Sequence, residues 1–218
     1  LSVTDGAACH GAFDLGRSDD WAAVSLCFPV EARTAGDRLI DHYEVVSRSF
    51  CCRNGRFKVD QEPFRSWIRD GLLHCCDGNQ IDFTEVRKQI IDWCERYRVA
   101  TWAHDPTFAG DTAQILKNEQ GIECFAFTQS HAFYNVPMRR FVEHDVPQGK
   151  IWHSGDPVLS WQAGNLEKDS NHKDHWMPRK NAKRYKIDGM VALLMAFSEC
   201  LYAEKNGWFY ETNELEIG

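Results

Sequence analysis

Gly11-Ala12-Phe13-Asp14-Leu15-Gly16-Arg17-Ser18-Asp19-Asp20-Trp21, followed by Ala22-Ala23-Val24-Ser25-Leu26-Cys27-Phe28, is the stretch on which the fold turns. Two apolar runs of strand length flank a connection that opens with glycine and carries two aspartates, the pattern of a hairpin. Asp14 lies inside the first run. A carboxylate there must give up its hydration, and Asp is depleted in mid-strand, so it asks for a partner or a ligand. Asp19 and Asp20 have a plainer explanation, because Asp bonds its own backbone in turns; for Asp19 that reading is preferred. The stretch reads as a strand end that holds a metal.

Working outward, His42-Tyr43-Glu44-Val45-Val46-Ser47-Arg48-Ser49-Phe50 supplies a third strand, and three strands in succession suggest a meander. Residues 51–78 are irregular, with Pro63, Gly71 and Gly78, and contain Phe64, Trp67, Ile68 and Leu72 at helical spacing. The spacing predicts a long excursion with one short helix. Asp82-x-x-Glu85 has capping-box form, and Val86, Ile90, Cys94 and Tyr97 recur on one face of the helix it opens. That helix feeds a strand over residues 99–104, which stops at Asp105-Pro106. Strand, helix and strand in this order form the crossover of a mixed or parallel sheet. Asp105 then stands at the carboxyl end of its strand, where open α/β sheets place ligands.

Asp111 caps a further helix through Ile115 and Leu116 that halts at Gly121, and residues 122–127 read as a buried strand. Residues 135–146 are read as helical, 149–153 as a short strand or turn, and 156–161 as a short helix or extended piece. Residues 163–186 are polar and aperiodic, so a mobile loop fits them. His172, Asp174 and His175 in that loop can ligate a metal, but loop histidines are more often simply solvated. The last element is a helix from Ile187 to about Glu204, with Met190, Leu193, Leu194, Phe197 and Leu201 on one stripe and Asp188 in its first turn, where the helix dipole favours a carboxylate.

With 218 residues the chain suffices for one domain without staples, and its 43% hydrophobic and 26% charged residues are ordinary globular values. No apolar run approaches the ~20 residues that span a bilayer. The start has neither the basic nor the apolar region of a signal peptide, and the absence of an initial Met suggests a fragment or a processed chain. Nine cysteines, an odd number with two adjacent pairs, point to reduced thiols in a cytosolic setting. A zinc site from Cys51, Cys52, His74, Cys75 and Cys76 lacks the usual Cys-x2-Cys spacing. The net charge of −7 argues against a general basic face, but Arg179, Lys180, Lys183, Arg184 and Lys186 put five cations into eight residues that can meet phosphates.

Asp14, Asp105 and Asp188 come from three separate elements that one mixed sheet can bring together. Hard oxygen ligands of this kind suit Mg²⁺ or Mn²⁺. Paired ions of this type, about 3.5 to 4 Å apart, clamp the attacking and leaving oxygens of a phosphodiester. Beyond this chemistry, the chain resembles a known family through five motifs in order. They are Phe13-Asp14-Leu15-Gly16-x-x-Asp19-Asp20; Trp67-Ile68-Arg69-Asp70-Gly71-Leu72-Leu73 with Gly78-Asn79-Gln80-Ile81-Asp82; His104-Asp105-Pro106; His153-Ser154-Gly155-Asp156-Pro157-Val158-Leu159-Ser160-Trp161; and Lys186-Ile187-Asp188-Gly189-Met190-Val191-Ala192-Leu193. In these it is similar to the nuclease domain of tailed-phage terminase large subunits, over nearly its whole length.

That resemblance implies an α/β, ribonuclease H-like mixed β-sheet flanked by α-helices. It implies that Asp14, Asp105 and Asp188 are the metal-binding catalytic acids, that Asp20 is an auxiliary ligand, and that Lys186 neutralises developing charge or touches DNA. His153 matches a family position near the site, and a structural histidine fits equally well. The implied activity is endonucleolytic cutting of concatemeric double-stranded viral DNA by two Mg²⁺ or Mn²⁺ ions in the host cytoplasm. No G-x-x-x-x-G-K-[ST] phosphate loop occurs in these residues, so residues 1–218 are read as one monomeric nuclease domain. The implied partners are an upstream ATPase motor, the terminase small subunit and the portal. Two rival readings are another ribonuclease H-like nuclease, such as a junction resolvase, and a non-catalytic docking module.

Overall fold

The structure, a computed structural model, describes residues 1–16, 20–32, 39–182 and 185–206. Among these, seven strands form one sheet: β1 (Ala8–Leu15), β2 (Ala22–Glu31), β3 (Ile40–Cys52), β4 (Leu73–Cys76), β5 (Arg98–His104), β6 (Cys124–Ala126) and β7 (Ile151–His153). The first three make the expected meander, β1 and β2 antiparallel with Phe13 opposite Val24, β2 and β3 antiparallel with Val24 opposite Arg48. β5 then lies parallel to β1, and β6 parallel to β5. β4 and β7 both run parallel to the far edge of the long β3, pairing with residues 49–52 and 43–45.

Alternation along the central strands sorts side chains to two faces. Ala12 and Ala103 face one core with Cys27, Tyr43 and Val45, and against it packs α6 (Asp188–Asn206) through Met190, Leu193, Leu194 and Phe197. Phe13 and Trp102 face the opposite core with Val24, Leu26 and Phe28. There α2 (Phe83–Arg96) and α3 (Pro106–Gln120) cover them with Val86, Ile90, Trp93, Ala109 and Leu116. Being on the centre of the sheet, α6 is buried nearly all round, more widely than the one stripe its sequence suggested. None of the described helices is long and apolar enough to cross a membrane.

Local signals account for most helix ends. Asp82 caps α2 by accepting from the Thr84 N–H at 2.8 Å, but Glu85 does not complete a capping box and instead pairs with Lys88 at 2.7 Å. Loss of the Asp82 cap is expected to cost about 1 kcal/mol, so Asp82→Ala should lower the chemical-denaturation midpoint slightly with an unchanged slope. The helix expected to begin at Asp111 begins six residues earlier. Asp105 is its cap, accepting from the Thr107 N–H at 2.7 Å, with Pro106 at the first helical position. Its end is as expected, on Gly121 in the left-handed region at φ 70°. The excursion over residues 51–78 holds the expected short helix, α1 (Phe64–Arg69), and also β4, which was not expected; β6 is a partly exposed edge strand where a buried one was expected.

Residues 163–186 depart furthest from expectation. After α4 (His131–Arg139), a π-helical turn over Arg140–Asp145, and α5 (Pro157–Gly164), they form an antiparallel hairpin of β8 (Leu166–Ser170) and β9 (Trp176–Lys180), where a loop was expected. The hairpin sets few apolar residues on the core, Trp176 with Leu166 and Met177. Trp176 is buried between the Arg139 guanidinium, 4.2 Å from its ring centre, and the Lys168 ammonium at 3.8 Å. Asn171 shapes the turn, its side-chain oxygen accepting from the Lys173 and His175 N–H groups. Asp174 is held by Arg139 and by the Trp176 indole, so it is engaged in the hairpin itself.

Candidate metal centre

The parallel register of β1 and β5 builds the site. Phe13 stands opposite His104, so the next residue of each chain, Asp14 and Asp105, leaves the carboxyl end of the sheet at the same level. Asp14 shares the α6 face with Ala12, and Asp188 opens α6 on that face. Asp20 follows the β1–β2 connection, where Gly16 is required: a Cβ there would stand 2.3 Å from the Trp21 carbonyl oxygen. Asp14, Asp20, Asp105 and Asp188 thus line one cleft of about 400 Å³, together with Leu15, Gly16, Thr107, Phe108, Lys180, Ile187 and Val191.

The electrostatics of the cleft are those of crowded acids. Burial, then the charges of Asp188, Asp105 and Asp20, push the Asp14 carboxyl well above the ordinary carboxylate range. Burial also raises Asp188, to about 6, against the nearby Lys180 and Lys186 ammoniums. Asp188 is only 4% exposed, and its Oδ2 has no hydrogen-bond partner among the described residues. At Asp20 burial acts upward too, but hydrogen bonds from Lys180 and Lys186, the latter at 2.8 Å, hold it below its usual value.

The donor set fits a hard divalent cation. It is all oxygen, and a buried carboxylate oxygen without a donor costs energy that a cation relieves. As placed, no three His, Cys, Asp or Glu groups among the described residues are drawn in tightly enough to hold an ion. Two of the carboxylates are already engaged: Asp105 Oδ1 caps α3, and Asp20 Oδ1 accepts from the two lysines.

The cationic run divides. Lys180 enters the cleft from β9, while Lys186 is 3% exposed, with its ammonium on Asp20 and 5.3 Å from the centre of the Phe57 ring. Arg179 is exposed on the hairpin and pairs with Glu167 at 3.0 Å. Lys183, Arg184 and Asp19 lie outside the described residues. His153 is not at the acids: it sits on β7 opposite Val45 and lines a separate apolar groove of about 360 Å³ with Phe141, Val142 and Met190. The motif around it serves structure, since Asp156 caps α5 through the Val158 and Leu159 N–H groups and Trp161 lies tilted against Trp21. Thr107 and Phe108 were not anticipated at the site; Asp-Pro-Thr, a cap followed by proline, was the signal that would have put a helix start there.

A meander extended by parallel strands, with acids at two strand ends and at the start of the helix packed across the sheet, defines a ribonuclease H-like fold. Residues 6–204 match the family model for the terminase large subunit, endonuclease domain, and the chain belongs to that family. Protein YmfN of Escherichia coli (strain K12) is 25% identical over 214 residues, a match covering 94% of this chain and 46% of that protein. The crystal structure of the HK97 bacteriophage large terminase superposes with a TM-score of 0.75 at 20% identity, over 91% of this chain and 40% of that one. That of the large terminase nuclease from thermophilic phage G20c with bound magnesium gives 0.55 at 13% identity, over 90% and 85%. The chain spans less than half the length of YmfN and of the HK97 terminase.

Proposed function

We propose that this chain is a Mg²⁺- or Mn²⁺-dependent endonuclease that cuts double-stranded viral DNA into genome lengths during packaging. The observation that carries the reading is the gathering of Asp14, Asp105, Asp188 and Asp20 from four points of the chain into one cleft. Asp14, Asp105 and Asp188 are the ion ligands, with Asp20 auxiliary; the magnesium bound by the G20c nuclease supports the same requirement here. Two such ions, when bound, activate water and neutralise charge on the phosphodiester.

The chain's own cations complete the site. Lys180 is half-buried at the cleft and balances the acids in the absence of substrate through Asp20. Arg179, exposed on the hairpin, and Lys183 and Arg184 after it, are assigned to the DNA backbone. Lys186 is a counter-ion inside the site, because its burial keeps it from the surface. The domain works as part of a longer protein with an ATPase motor, alongside a small subunit and portal, in the host cytoplasm.

Incubation with supercoiled plasmid tests the reading. Mn²⁺ is expected to support nicking and linearisation, EDTA to abolish both, and a crystal grown with Mn²⁺ to show anomalous density between Asp14 and Asp105. Absence of both cutting and density would overturn the nuclease in favour of a docking module. A preference for branched over linear duplex would favour a junction resolvase.

A further inference from the structure

Gly189, the residue after Asp188, is gripped on both sides by side chains from two other elements. Its N–H donates to Gln162 Oε1 of α5 at 2.6 Å, and its carbonyl accepts from Ser25 Oγ of β2 at 3.1 Å. Gln162 is fully buried and turns its amide nitrogen to Ser49 Oγ of β3 at 2.8 Å. Ser25 Oγ in turn meets Ser47 Oγ at 2.9 Å. The amide orientation is fixed by chemistry: a backbone N–H only donates, so the Gln162 atom facing it must be the oxygen.

The first N–H groups of a helix have no partner within it, and here a glutamine from another helix supplies one. A Cβ at residue 189 would stand 3.0 Å from Gln162 Oε1 and 3.2 Å from Ser47 Oγ, so only glycine lets the grip close without displacement. None of Gln162, Ser25, Ser47 and Ser49 lines the acidic cleft. They therefore do not meet substrate, and their effect reaches the cleft through the adjoining residue. The Asp188 carboxylate has no side-chain hydrogen bond at Oδ2 to hold it, so its location depends on where the start of α6 is fixed.

We infer that Gln162 is a positioning residue for Asp188, holding the start of α6 so that the third acid stands where an ion requires it. The inference rests on the proposed role of Asp188 as a metal ligand. Outer-shell partners of ligands typically change metal affinity or activity by about 10- to 100-fold.

The test is Mn²⁺ binding to the full chain, read by electron paramagnetic resonance of the free ion, with no DNA present. Gln162→Met keeps the volume and removes the acceptor. It is expected to weaken Mn²⁺ binding by about 10-fold or more while still unfolding cooperatively. Gln162→Glu, whose carboxyl can accept from Gly189 and from the Ser49 hydroxyl, is expected to recover most of the affinity. A folded Gln162→Met protein binding Mn²⁺ within about twofold of wild type overturns the inference and leaves the metal site standing, since that is far below an outer-shell effect. Wild-type protein that binds no Mn²⁺ overturns both. If Gln162→Met does not fold, Ser25→Ala decides, because it takes the hydroxyl from the Gly189 carbonyl and from Ser47 while leaving Gln162 in place: weaker Mn²⁺ binding supports the inference and unchanged binding overturns it.

Discussion

Asp14→Asn is expected to reduce Mn²⁺-dependent plasmid nicking at least about 100-fold and, in the same protein without metal, to raise the thermal unfolding midpoint. The two effects have one cause. Asp14 is crowded by Asp188, Asp105 and Asp20 on a buried strand end, and its carboxyl is pushed up accordingly. A carboxyl raised in the folded state binds its proton more tightly there than in the unfolded chain. Its charge therefore destabilises the fold above the folded pKa, and the penalty fades as pH falls toward the unfolded value. Asp188, at about 6 against an ordinary 3.8, gives the window: the metal-free protein gains stability between about pH 6 and pH 4.

For Asp188 alone the penalty at neutral pH is on the order of 2–3 kcal/mol, which for a chain of this size corresponds to several degrees in midpoint at roughly 2–4 °C per kcal/mol. Removing the Asp14 charge relieves its neighbours as well as itself. Calorimetry at pH 8 and pH 5 with and without EDTA measures this, and Mn²⁺ should raise the wild-type midpoint but not that of Asp14→Asn. A variant that cuts DNA at the wild-type rate would remove Asp14 from the chemistry. A variant less stable than wild type without metal would make Asp14 a structural acid.

Much of this site could be read from residue order, and the reasons differ by residue. Asp14 announced itself because a carboxylate in an apolar strand is expensive anywhere. Asp105 was legible from its place at the end of a strand, yet its capping of α3 was missed because Asp111 is also a plausible cap and lies nearer the apolar residues. The two lysines on Asp20 were not legible, since a run of cations looks alike whether it faces solvent or folds inward. The β8–β9 hairpin was invisible for a related reason. It sets only Leu166, Trp176 and Met177 on the core, with no alternation along either strand, and Trp176 is held by cations, one of them 37 residues away on α4. His153 stayed open between site and structure because a motif fixes neighbours in sequence only, and β7 carries it to the far edge of β3.

Trp21→Ala is expected to give the largest loss of stability, about 3–5 kcal/mol, for reasons that lead back to the cleft. Trp21 is 2% exposed and is the hub of an aromatic cluster, edge-on to Phe57 at 5.3 Å and Phe64 at 6.0 Å and tilted on Trp161 at 5.6 Å between ring centres. Aromatic pairs of this geometry add to the apolar area they bury, and truncation leaves a cavity among Cys51, Val59, Phe64, Leu73 and Val158. The indole nitrogen has no hydrogen-bond partner among the described residues, so Trp21→Phe removes no bond and relieves a buried donor. That variant should lose well under half of what Trp21→Ala loses in urea unfolding; equal losses would mean that the nitrogen is bonded after all. Because Asp20 precedes Trp21 directly and is drawn between Lys180 and Lys186, a cavity at Trp21 loosens the acid as well as the core. The rise in midpoint on adding Mn²⁺ should therefore shrink in Trp21→Ala and persist in Trp21→Phe, which separates anchoring of the cleft from general loss of stability.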